Sequence, residues 1–320
     1  MQKPTIVYLD AHTLNPGDID WSPISNLGNF KRYEFTESDQ VVERAKIADI
    51  VLVNKALISA EVLAQLPNLK CICVTATGYN NVDLKAARVR NIPVCNAVGY
   101  STPAVAQHVF ALLLAMTNGV ERHSQSAKSG DWAAQQHFAY WFEALDELHG
   151  KTMGIYGLGR IGQSVAKLAL AFEMNVLAKH KHPERDAMPG VQFVDLETLF
   201  SESDVISLHA PLSDQNHEIV NKDLLAKMKP SAYLINTGRG GLIQEQDLYE
   251  ALSKQQIKGA ALDVLQKEPP SGPHPLFELD NCIITPHQAW ASLAARKRLM
   301  DIVAGNIEAF LKGAPTQVVN

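Results

Sequence analysis

The sequence predicts an α/β protein built from two doubly wound, parallel-sheet domains. Short apolar strands alternate with helical stretches through almost all of its 320 residues, a pattern typical of parallel sheets covered by helices on both faces. The length suits two domains of about 150 residues each. A glycine-rich turn near the middle of the chain, Gly157-Leu158-Gly159-Arg160-Ile161-Gly162, joins an apolar strand to a helix. This turn indicates that the second domain has a Rossmann-type fold.

The first 100 residues are predicted to form a complete small α/β unit. Helical pieces cover Gln40–Ala48 and Ser59–Gln65. Short apolar runs between turn residues predict five strands, which are Thr5–Leu9, Arg32–Phe35, Asp49–Val53, Lys70–Val74 and Pro93–Asn96.

A long helix follows this unit. Thr102 is predicted as its N-cap and Pro103 as its first residue, and apolar residues then recur at helical spacing as far as Met116. The chain from Glu121 to Leu148 is more polar, and its aromatic residues follow no core period. We interpret this polar stretch as an arm that docks on a partner surface.

From Gly150 a second α/β unit begins. The tail, Ser292–Leu311, is predicted to be a helix that crosses back to the first unit, because no strand follows it. The predicted domains are therefore residues 1–100 plus 291–320, and residues 101–290. Seven strands are expected in the second unit, namely Thr152–Tyr156, Asn175–Lys179, Gln192–Val194, Asp204–Leu208, Ala232–Asn236, Gly259–Asp263 and Cys282–Thr285.

The glycine turn fits a phosphate-binding function. Gly157 allows a tight turn, Gly159 lets the backbone approach a pyrophosphate, and Gly162 lets helix and strand pack closely. The helix that starts with Arg160 and Ile161 directs N–H groups and partial positive charge toward phosphates. Three glycines alone are equally consistent with an ordinary strand–helix turn, but the strand before and the helix after favour dinucleotide binding.

The composition excludes several function classes. Apolar residues make up 46% and charged residues 20% of the chain, as in a globular protein with an ample core. A net charge of −5 without a basic run argues against nucleic-acid binding. The longest apolar run, Val109–Met116, is far shorter than the roughly 20 residues that span a bilayer. The N-terminus lacks the apolar region of a signal peptide. We therefore expect a cytoplasmic protein that binds neither nucleic acid nor membrane.

Four cysteines are too few for a disulfide framework in a chain of this length. Cys71 and Cys73 share one face of a predicted strand, so that a metal site is conceivable. Buried reduced thiols are the favoured interpretation of this pair, and no metal is predicted; the other two cysteines are Cys95 and Cys282. Reduced thiols agree with a cytoplasmic location.

Three side chains of the second unit follow strands at the edge where ligands of open α/β sheets bind. They are Arg239, Glu268 and His287. A nicotinamide enzyme acting on an oxo acid needs a fixed cation for the carboxylate and carbonyl, which arginine supplies as a planar fork of donors. It also needs a proton donor, which histidine supplies when a neighbouring carboxylate favours imidazolium. Each residue taken singly also has an ordinary structural explanation. Arg239 could be a surface residue at a strand end, Glu268 a charge at the start of a helix, and His287 a cap.

Several motifs occur in a distinctive order along the chain. They are Ala76–Asp83, Gly99–His108, Gly157–Gly162, Asn236–Gly240, Asp263-Val264 with Glu268-Pro269, and Thr285-Pro286-His287. In this order they resemble the D-isomer-specific 2-hydroxyacid dehydrogenases over nearly the whole chain. Ser129–Trp132 and Tyr140-Trp141 resemble most the glycerate dehydrogenase (hydroxypyruvate reductase) branch of that family. The resemblance implies a Rossmann dinucleotide-binding domain inserted in a flavodoxin-like substrate domain.

The resemblance also implies roles in catalysis. Arg239 would bind the carboxylate and carbonyl of the substrate, His287 would be the acid/base, and Glu268 would pair with it. The backbone around Thr77 and Gly78 would hold the carboxylate from the first domain, so that catalysis requires closure of the cleft. Without the resemblance, Gly78 is equally well explained as a turn glycine.

Further implied roles concern the cofactor and the partner. Thr237 and Asp263 would line the nicotinamide and ribose side of the dinucleotide, with His209 and Pro211 ending the strand before them. Trp141 resembles a residue that in related reductases reaches into the active site of the neighbouring subunit, which implies a homodimer. The alternative for Trp141 is dimer packing alone.

One departure from the family pattern concerns the choice of dinucleotide. NAD-preferring Rossmann folds carry an acid about 20 residues past the glycines to bind the ribose hydroxyls. Here that place is Ala178-Lys179-His180-Lys181-His182, with His180 where the acid would be. Since lysines such as Lys181 attract a 2′-phosphate, we hypothesise tolerance or preference for NADP over NAD. A solvated basic loop is the alternative, and a metal site at His180 and His182 is disfavoured.

The function expected from the sequence is hydride transfer between a nicotinamide cofactor and a small D-2-hydroxy acid or 2-oxo acid, with hydroxypyruvate and glyoxylate as the first candidates. One alternative is a corepressor-like protein that senses the dinucleotide and recruits partners, although the chain lacks a basic arm. Another is a family member acting on another oxo acid, on formate or on phosphite. Formate enzymes that resemble this family have Gln in place of Glu268, which argues against formate.

Overall fold

The computed structural model describes residues 3–320, which divide into two compact units. Unit 1 is discontinuous: it consists of the described residues up to Ser101 together with Ala291–Asn320. Unit 2 is the continuous segment Thr102–Trp290.

Unit 1 contains a sheet of five parallel strands. The strands lie in the order β2-β1-β3-β4-β5, the flavodoxin-like order of doubly wound folds. The strands are β1 Thr5–Tyr8, β2 Asn29–Arg32, β3 Ile50–Val53, β4 Cys71–Val74 and β5 Val94–Cys95. The helices between them are α1 Ser22–Ser25, α2 Val41–Ala45, α3 Ala60–Ala64 and α4 Leu84–Val89.

The second strand begins three residues earlier than the predicted Arg32–Phe35. β2 lies at the edge of the sheet, and the N–H of Asn29 fixes its register by donating to the carbonyl of Pro4 at 2.8 Å. Most of its side chains are exposed, so no buried face leaves an apolar alternation in the sequence. Phe35, whose apolar side chain suggested the later position, is 66% exposed.

Unit 2 contains a sheet of seven parallel strands in the order β12-β11-β10-β9-β6-β7-β8. The strands are β6 Thr152–Tyr156, β7 Asn175–Lys179, β8 Val191–Phe193, β9 Val205–Leu208, β10 Tyr233–Asn236, β11 Gly259–Leu262 and β12 Cys282–Ile284. The helices are α5 Thr102–Asn118, α6 Val120–Ser129, α7 Arg160–Ala171, α8 Leu196–Glu202, α9 Lys222–Leu225 and α10 Glu245–Ser253. The strand order reverses between β6 and β9, which is where a Rossmann fold binds its ligand.

The core of unit 2 has two halves, one on each face of the sheet. On one face α5 and α7 pack together, and residues such as Val109 and Val165 are fully buried against Ile155 and Ile235. On the other face α8, α9 and α10 cover alternate strand residues such as Leu234. Both faces are therefore apolar, which explains why the strands are nearly continuous apolar runs in the sequence.

Within residues 3–320 no single helix is long and apolar enough to cross a membrane. By length and composition, α5 and α6 would pass that test only as a pair, which is bent by 52°.

The chain returns to unit 1 after unit 2. Helix α11, Leu293–Leu311, starts with Ser292 as N-cap, whose hydroxyl accepts from the N–H of Ala295 at 3.2 Å. The last residues then line the outer edge of β5, where the N–H of Val319 donates to the carbonyl of Val94 at 2.9 Å. The returning segment thus covers an edge of the sheet that would otherwise expose unpaired backbone groups.

All four cysteines are free thiols. Cys71 and Cys73 occupy one face of β4, as the sequence indicated, and Cys95 on β5 joins them, so that the three sulfur atoms lie within 4.8 Å of one another. Burial raises the pKa of the fourth thiol, Cys282, to about 12. At neutral pH this thiol is therefore protonated and a poor nucleophile.

Candidate active site

The glycine turn, residues 157–162, connects β6 to α7 beside the point where the strand order reverses. Gly157 has a φ of +99°, and a Cβ there would collide with the backbone of Ala210. A Cβ on Gly162 would collide with the carbonyl of Gly157, so helix and turn are in direct contact. A Cβ on Gly159, in contrast, would meet nothing within 4 Å. The second glycine therefore borders open space, as a backbone that receives a phosphate must.

Two further observations test whether a dinucleotide fits this turn. Gly159 is the N-cap of α7 and offers no side chain to its first N–H groups, which leaves them for a ligand. The hydroxyl of Thr237, just past β10, is buried without a hydrogen-bond partner among the described residues. A buried orphan hydroxyl is costly unless a ligand satisfies it. The residues present thus fit a bound dinucleotide.

His209 and Pro211 follow β9, the strand next to the glycine turn. Burial lowers the pKa of His209 to about 4, so its ring is neutral at physiological pH. Its Nε2 atom is 2.8 Å from the hydroxyl of Ser207. The carbonyl of Pro211 accepts from the side chain of Asn216 at 2.9 Å, which fixes the loop. This segment therefore presents an uncharged, ordered surface beside the turn.

His180, at the end of β7, is tied to the glycine turn. Its Nδ1 atom accepts from the N–H of Leu158 at 3.0 Å, and its Nε2 atom lies 2.6 Å from a carboxylate oxygen of Asp186. Because both ring nitrogens are engaged, neither is left to bind a metal ion. Lys181 is exposed. Asp186 is a residue that sequence reasoning missed, since it lies six positions beyond the place where the family's acid is expected.

Arg239 lies three residues past β10, in a turn organised by the buried Asn236. The Asn236 side chain accepts from the N–H of Gly238 at 3.0 Å and donates to the carbonyl of Arg239 at 2.9 Å. The Arg239 guanidinium is exposed, and among residues 3–320 no carboxylate forms an ion pair with it. Its Nη1 atom donates to the carbonyl of Gly238 at 2.8 Å, and the other donors of the guanidinium remain available to a carboxylate or carbonyl of a ligand.

Glu268 and His287 form a close pair past the ends of β11 and β12. One carboxylate oxygen of Glu268 lies 2.6 Å from Nδ1 of His287, and the other accepts from the N–H of Leu265 at 3.0 Å. The two side chains are 29% and 32% exposed, so the pair faces solvent. Since Glu268 occupies Nδ1, the Nε2 atom of His287 is the ring nitrogen that can exchange a proton with a substrate.

Asp263 organises the loop that carries the histidine. Its carboxylate accepts from the hydroxyl of Thr285 at 2.6 Å and from the N–H groups of Gln288 and Ala289, both at 2.9 Å. Burial would raise the pKa of Asp263, but these bonds and one from His108 outweigh it and hold the pKa below its ordinary value. Both oxygens are thus occupied by the chain itself, and contact of Asp263 with a cofactor stays a prediction.

His287 has a φ of +51°, a conformation that residues with side chains rarely adopt. Its N–H donates to the carbonyl of Asp263 at 2.8 Å, so the anchored loop holds the unusual backbone in place. Such conformations persist only where the surroundings determine them, and they are frequent at functional sites.

One glycine connects the arginine turn to the Glu268–His287 pair. A Cβ on Gly240 would collide with the backbone of Leu265. Leu265 in turn donates its N–H to Glu268. A continuous series of contacts therefore runs from Arg239 through Gly240, Leu265 and Glu268 to His287.

Two further predicted substrate residues belong to unit 1. Thr77 and Gly78 follow β4, and the Thr77 hydroxyl donates to the carbonyl of Ala97 at 2.8 Å. In the described part of the chain, the N–H groups of Thr77 and Gly78 donate no hydrogen bond. They can therefore bind an anion, although their role stays a prediction.

Comparison with known proteins adds the family context. The sequence profile for the NAD binding domain of D-isomer specific 2-hydroxyacid dehydrogenases matches residues 110–289. A hydroxypyruvate reductase of Blautia hydrogenotrophica is 45% identical over 98% of this chain and 99% of its own length. A glycerate dehydrogenase of Methylorubrum extorquens is 40% identical over 98% of each chain. Among solved structures, an acyclic imino acid reductase in complex with NADPH and D-Arg is 34% identical, with a TM-score of 0.87 over 99% of this chain and 100% of the other.

Proposed function

The chain belongs to the D-isomer specific 2-hydroxyacid dehydrogenase family, and on that premise we propose that it reduces hydroxypyruvate and glyoxylate to D-glycerate and glycolate. The observation that carries the proposal is the 2.6 Å pair of Glu268 and His287 on the same strand-end edge as Arg239, which forms no ion pair within residues 3–320. A proton donor and a fixed cation are what reduction of a 2-oxo acid requires. The names of the similar relatives, hydroxypyruvate reductase and glycerate dehydrogenase, support the same substrate class.

The proposed mechanism assigns one task to each residue. A bound nicotinamide dinucleotide supplies the hydride that reaches the carbonyl carbon. Arg239 binds the carboxylate and carbonyl oxygens of the oxo acid through its planar fork of donors. His287 gives its Nε2 proton to the carbonyl oxygen as negative charge develops there.

Other residues support these steps. Glu268 engages Nδ1 of His287 and thereby fixes the orientation of its ring. The N–H groups of Thr77 and Gly78 bind the substrate carboxylate. The glycine turn and the Thr237 hydroxyl hold the dinucleotide, with Asp263 keeping the histidine loop in place.

A substrate panel tests the function. Purified protein is assayed with hydroxypyruvate, glyoxylate, pyruvate, and pyruvate plus an amine, each with NADH and with NADPH. We expect the highest kcat/KM for hydroxypyruvate or glyoxylate. Higher kcat/KM with the amine present would instead favour imino acid reduction. Dinucleotide binding without turnover of any oxo acid would support a dinucleotide-sensing protein and contradict the proposal.

We further propose that the protein is a homodimer formed through the part of the arm that follows α6, residues 130–146. The arm is ordered on α6, where the hydroxyls of Ser126 and Tyr140 are 2.7 Å apart. Yet it presents large apolar side chains outward, with Phe138 93% and Trp141 64% exposed. A second copy of the chain is the occupant we propose for this surface, because exposed apolar patches of this kind mark interaction sites. Trp141 is the residue proposed to reach the neighbouring active site.

The dimer is tested by light scattering after gel filtration. We expect twice the mass of one chain for the natural sequence and one chain for Phe138→Asp. Val89→Asp is the matched control, since Val89 is 84% exposed on unit 1 and should leave the dimer intact. A natural protein that runs as a monomer at micromolar concentration would refute the proposal. A cytoplasmic location, supported by the four free thiols, is also proposed and is checked by cell fractionation.

A further inference from the structure

The segment after β7, residues 179–186, contains a network of charged side chains that the reaction does not use. Its central member is the Asp186 carboxylate, whose Oδ2 atom lies 2.6 Å from Nε2 of His180 and 2.6 Å from Nη2 of Arg185. The same guanidinium donates from Nε to the Oδ1 atom of Asp186 at 3.1 Å. Arg185 and His180 are therefore within two hydrogen-bond lengths of each other.

The position of this network relative to the cofactor follows from the glycine turn. The residue at the end of the second strand of a Rossmann unit, about 20 positions past the glycines, meets the 2′ position of the adenosine ribose. Here that residue is His180, and the hydrogen bond from Leu158 fastens it to the turn at 3.0 Å. The hydroxyl or phosphate on the 2′ carbon of the ribose is therefore expected to lie next to His180 and its neighbours.

The charges of the network distinguish a hydroxyl from a phosphate at that position. The hydrogen bond from Arg185, and a second from His180, lower the pKa of Asp186 well below its ordinary value, so the carboxylate is charged. Both of its oxygens already accept from Arg185, and one also contacts His180, so a ribose hydroxyl would compete with these donors for the carboxylate. The contacts to Asp186 use Nε and Nη2 of Arg185, and its Nη1 atom donates no hydrogen bond within residues 3–320 on a side chain that is 68% exposed.

We infer that Arg185, held against His180 by Asp186, binds the 2′-phosphate of a phosphorylated nicotinamide dinucleotide. This role rests on the proposed dinucleotide function, and it makes Arg185 the residue that selects the dinucleotide with a 2′-phosphate over the one without it. Arg185 is the ligand to the phosphate because a guanidinium fork matches phosphate geometry. Asp186 is a positioning residue, since it touches the phosphate only through Arg185 and His180. Lys179 and Lys181 add positive charge around the site without a fixed contact to it.

The test measures binding of two nucleotides that differ by one phosphate, so no oxo acid is needed. Adenosine 2′,5′-bisphosphate and 5′-AMP are titrated into the purified full-length protein in a calorimeter. We expect the bisphosphate to bind at least about ten-fold more tightly, as a charge-assisted pair supplies. Arg185→Gln should reduce this ratio to about two-fold or less and leave the Kd of 5′-AMP unchanged.

Further variants separate the roles. Arg185→Lys, which keeps the charge but not the fork, should retain part of the ratio. Asp186→Asn should weaken the bisphosphate alone, whereas general damage to the fold would weaken both nucleotides. Lys254→Gln is the matched control, because Lys254 is also 68% exposed and paired with an acid, Glu250.

Two results would overturn the inference. Equal affinity of the natural protein for both nucleotides would show that no 2′-phosphate site exists, even if the enzyme reduces oxo acids with NADH. An unchanged ratio in Arg185→Gln would show that another group binds the phosphate. Failure of both nucleotides to bind would instead contradict the proposed dinucleotide function itself.

Discussion

Replacement of His287 by alanine should lower kcat for hydroxypyruvate reduction at least about 100-fold, because a general acid of this kind contributes 10²–10⁴-fold to the rate. The Kd for the dinucleotide should change less than about two-fold, since the side chain acts on the substrate oxygen. The measurement is steady-state kinetics together with titration of the dinucleotide by fluorescence.

Two variants make the histidine experiment specific. Glu268→Gln keeps the shape of the partner but weakens the hydrogen bond that orients the His287 ring, so we expect a smaller loss of kcat than in His287→Ala. His149→Ala is the matched control, since His149 forms a similar pair with Glu173 at 3.3 Å but is 68% exposed and precedes β6, at the edge of the sheet opposite the candidate site. A His287→Ala enzyme with nearly natural turnover would show that another group donates the proton.

Replacement of Arg239 by alanine should lower kcat/KM for the oxo acid roughly 10²–10³-fold. The guanidinium makes charge-assisted hydrogen bonds to the substrate, each worth about 1.5–3 kcal/mol, and two of them account for a loss of this size. Dinucleotide affinity should stay within about two-fold of the natural value. The check is kcat/KM for hydroxypyruvate at saturating dinucleotide.

The conservative variant shows what the arginine contributes. Arg239→Lys keeps a positive charge without the planar fork, so it should recover only part of the lost kcat/KM. Arg88→Ala on α4 of unit 1 is an exposed control expected to have no effect. If Arg239→Ala lowered dinucleotide affinity as strongly as kcat/KM, the arginine would belong to the cofactor site and not to the substrate site.

Most of the fold could be predicted because the strands of a parallel sheet covered on both faces are buried on both sides and therefore consist of nearly continuous apolar runs. The two-sheet α/β architecture and the family were confirmed, and all twelve strands occur near their predicted places. The one strand that was displaced, β2, lies at a sheet edge with exposed side chains. Its position depends on the hydrogen bond from the N–H of Asn29 to the carbonyl of Pro4, and a backbone hydrogen bond leaves no apolar pattern in the sequence.

The candidate site was predictable only where position along the chain determines position in space. Arg239, Glu268 and His287 follow neighbouring parallel strands, so strand order alone brings them to one edge. Asp186 could not be placed, because it reaches His180 through an irregular loop whose path depends on its own hydrogen bonds. A charged Arg-Asp dipeptide a few residues past the strand was the only signal, and surface loops commonly contain such pairs.

The return of residues 291–320 to unit 1 has a consequence for how the chain folds during synthesis. Unit 2 is continuous, so all its strands have been synthesised before the last segment of unit 1 is made. Unit 1 lacks α11 and the strip that covers the edge of β5 until that moment. Domains made early in synthesis usually fold first. Here the order is reversed: the N-terminal unit keeps an open sheet edge until Asn320, which is 226 residues after Val94, has been made, and by then the whole inserted unit has been synthesised.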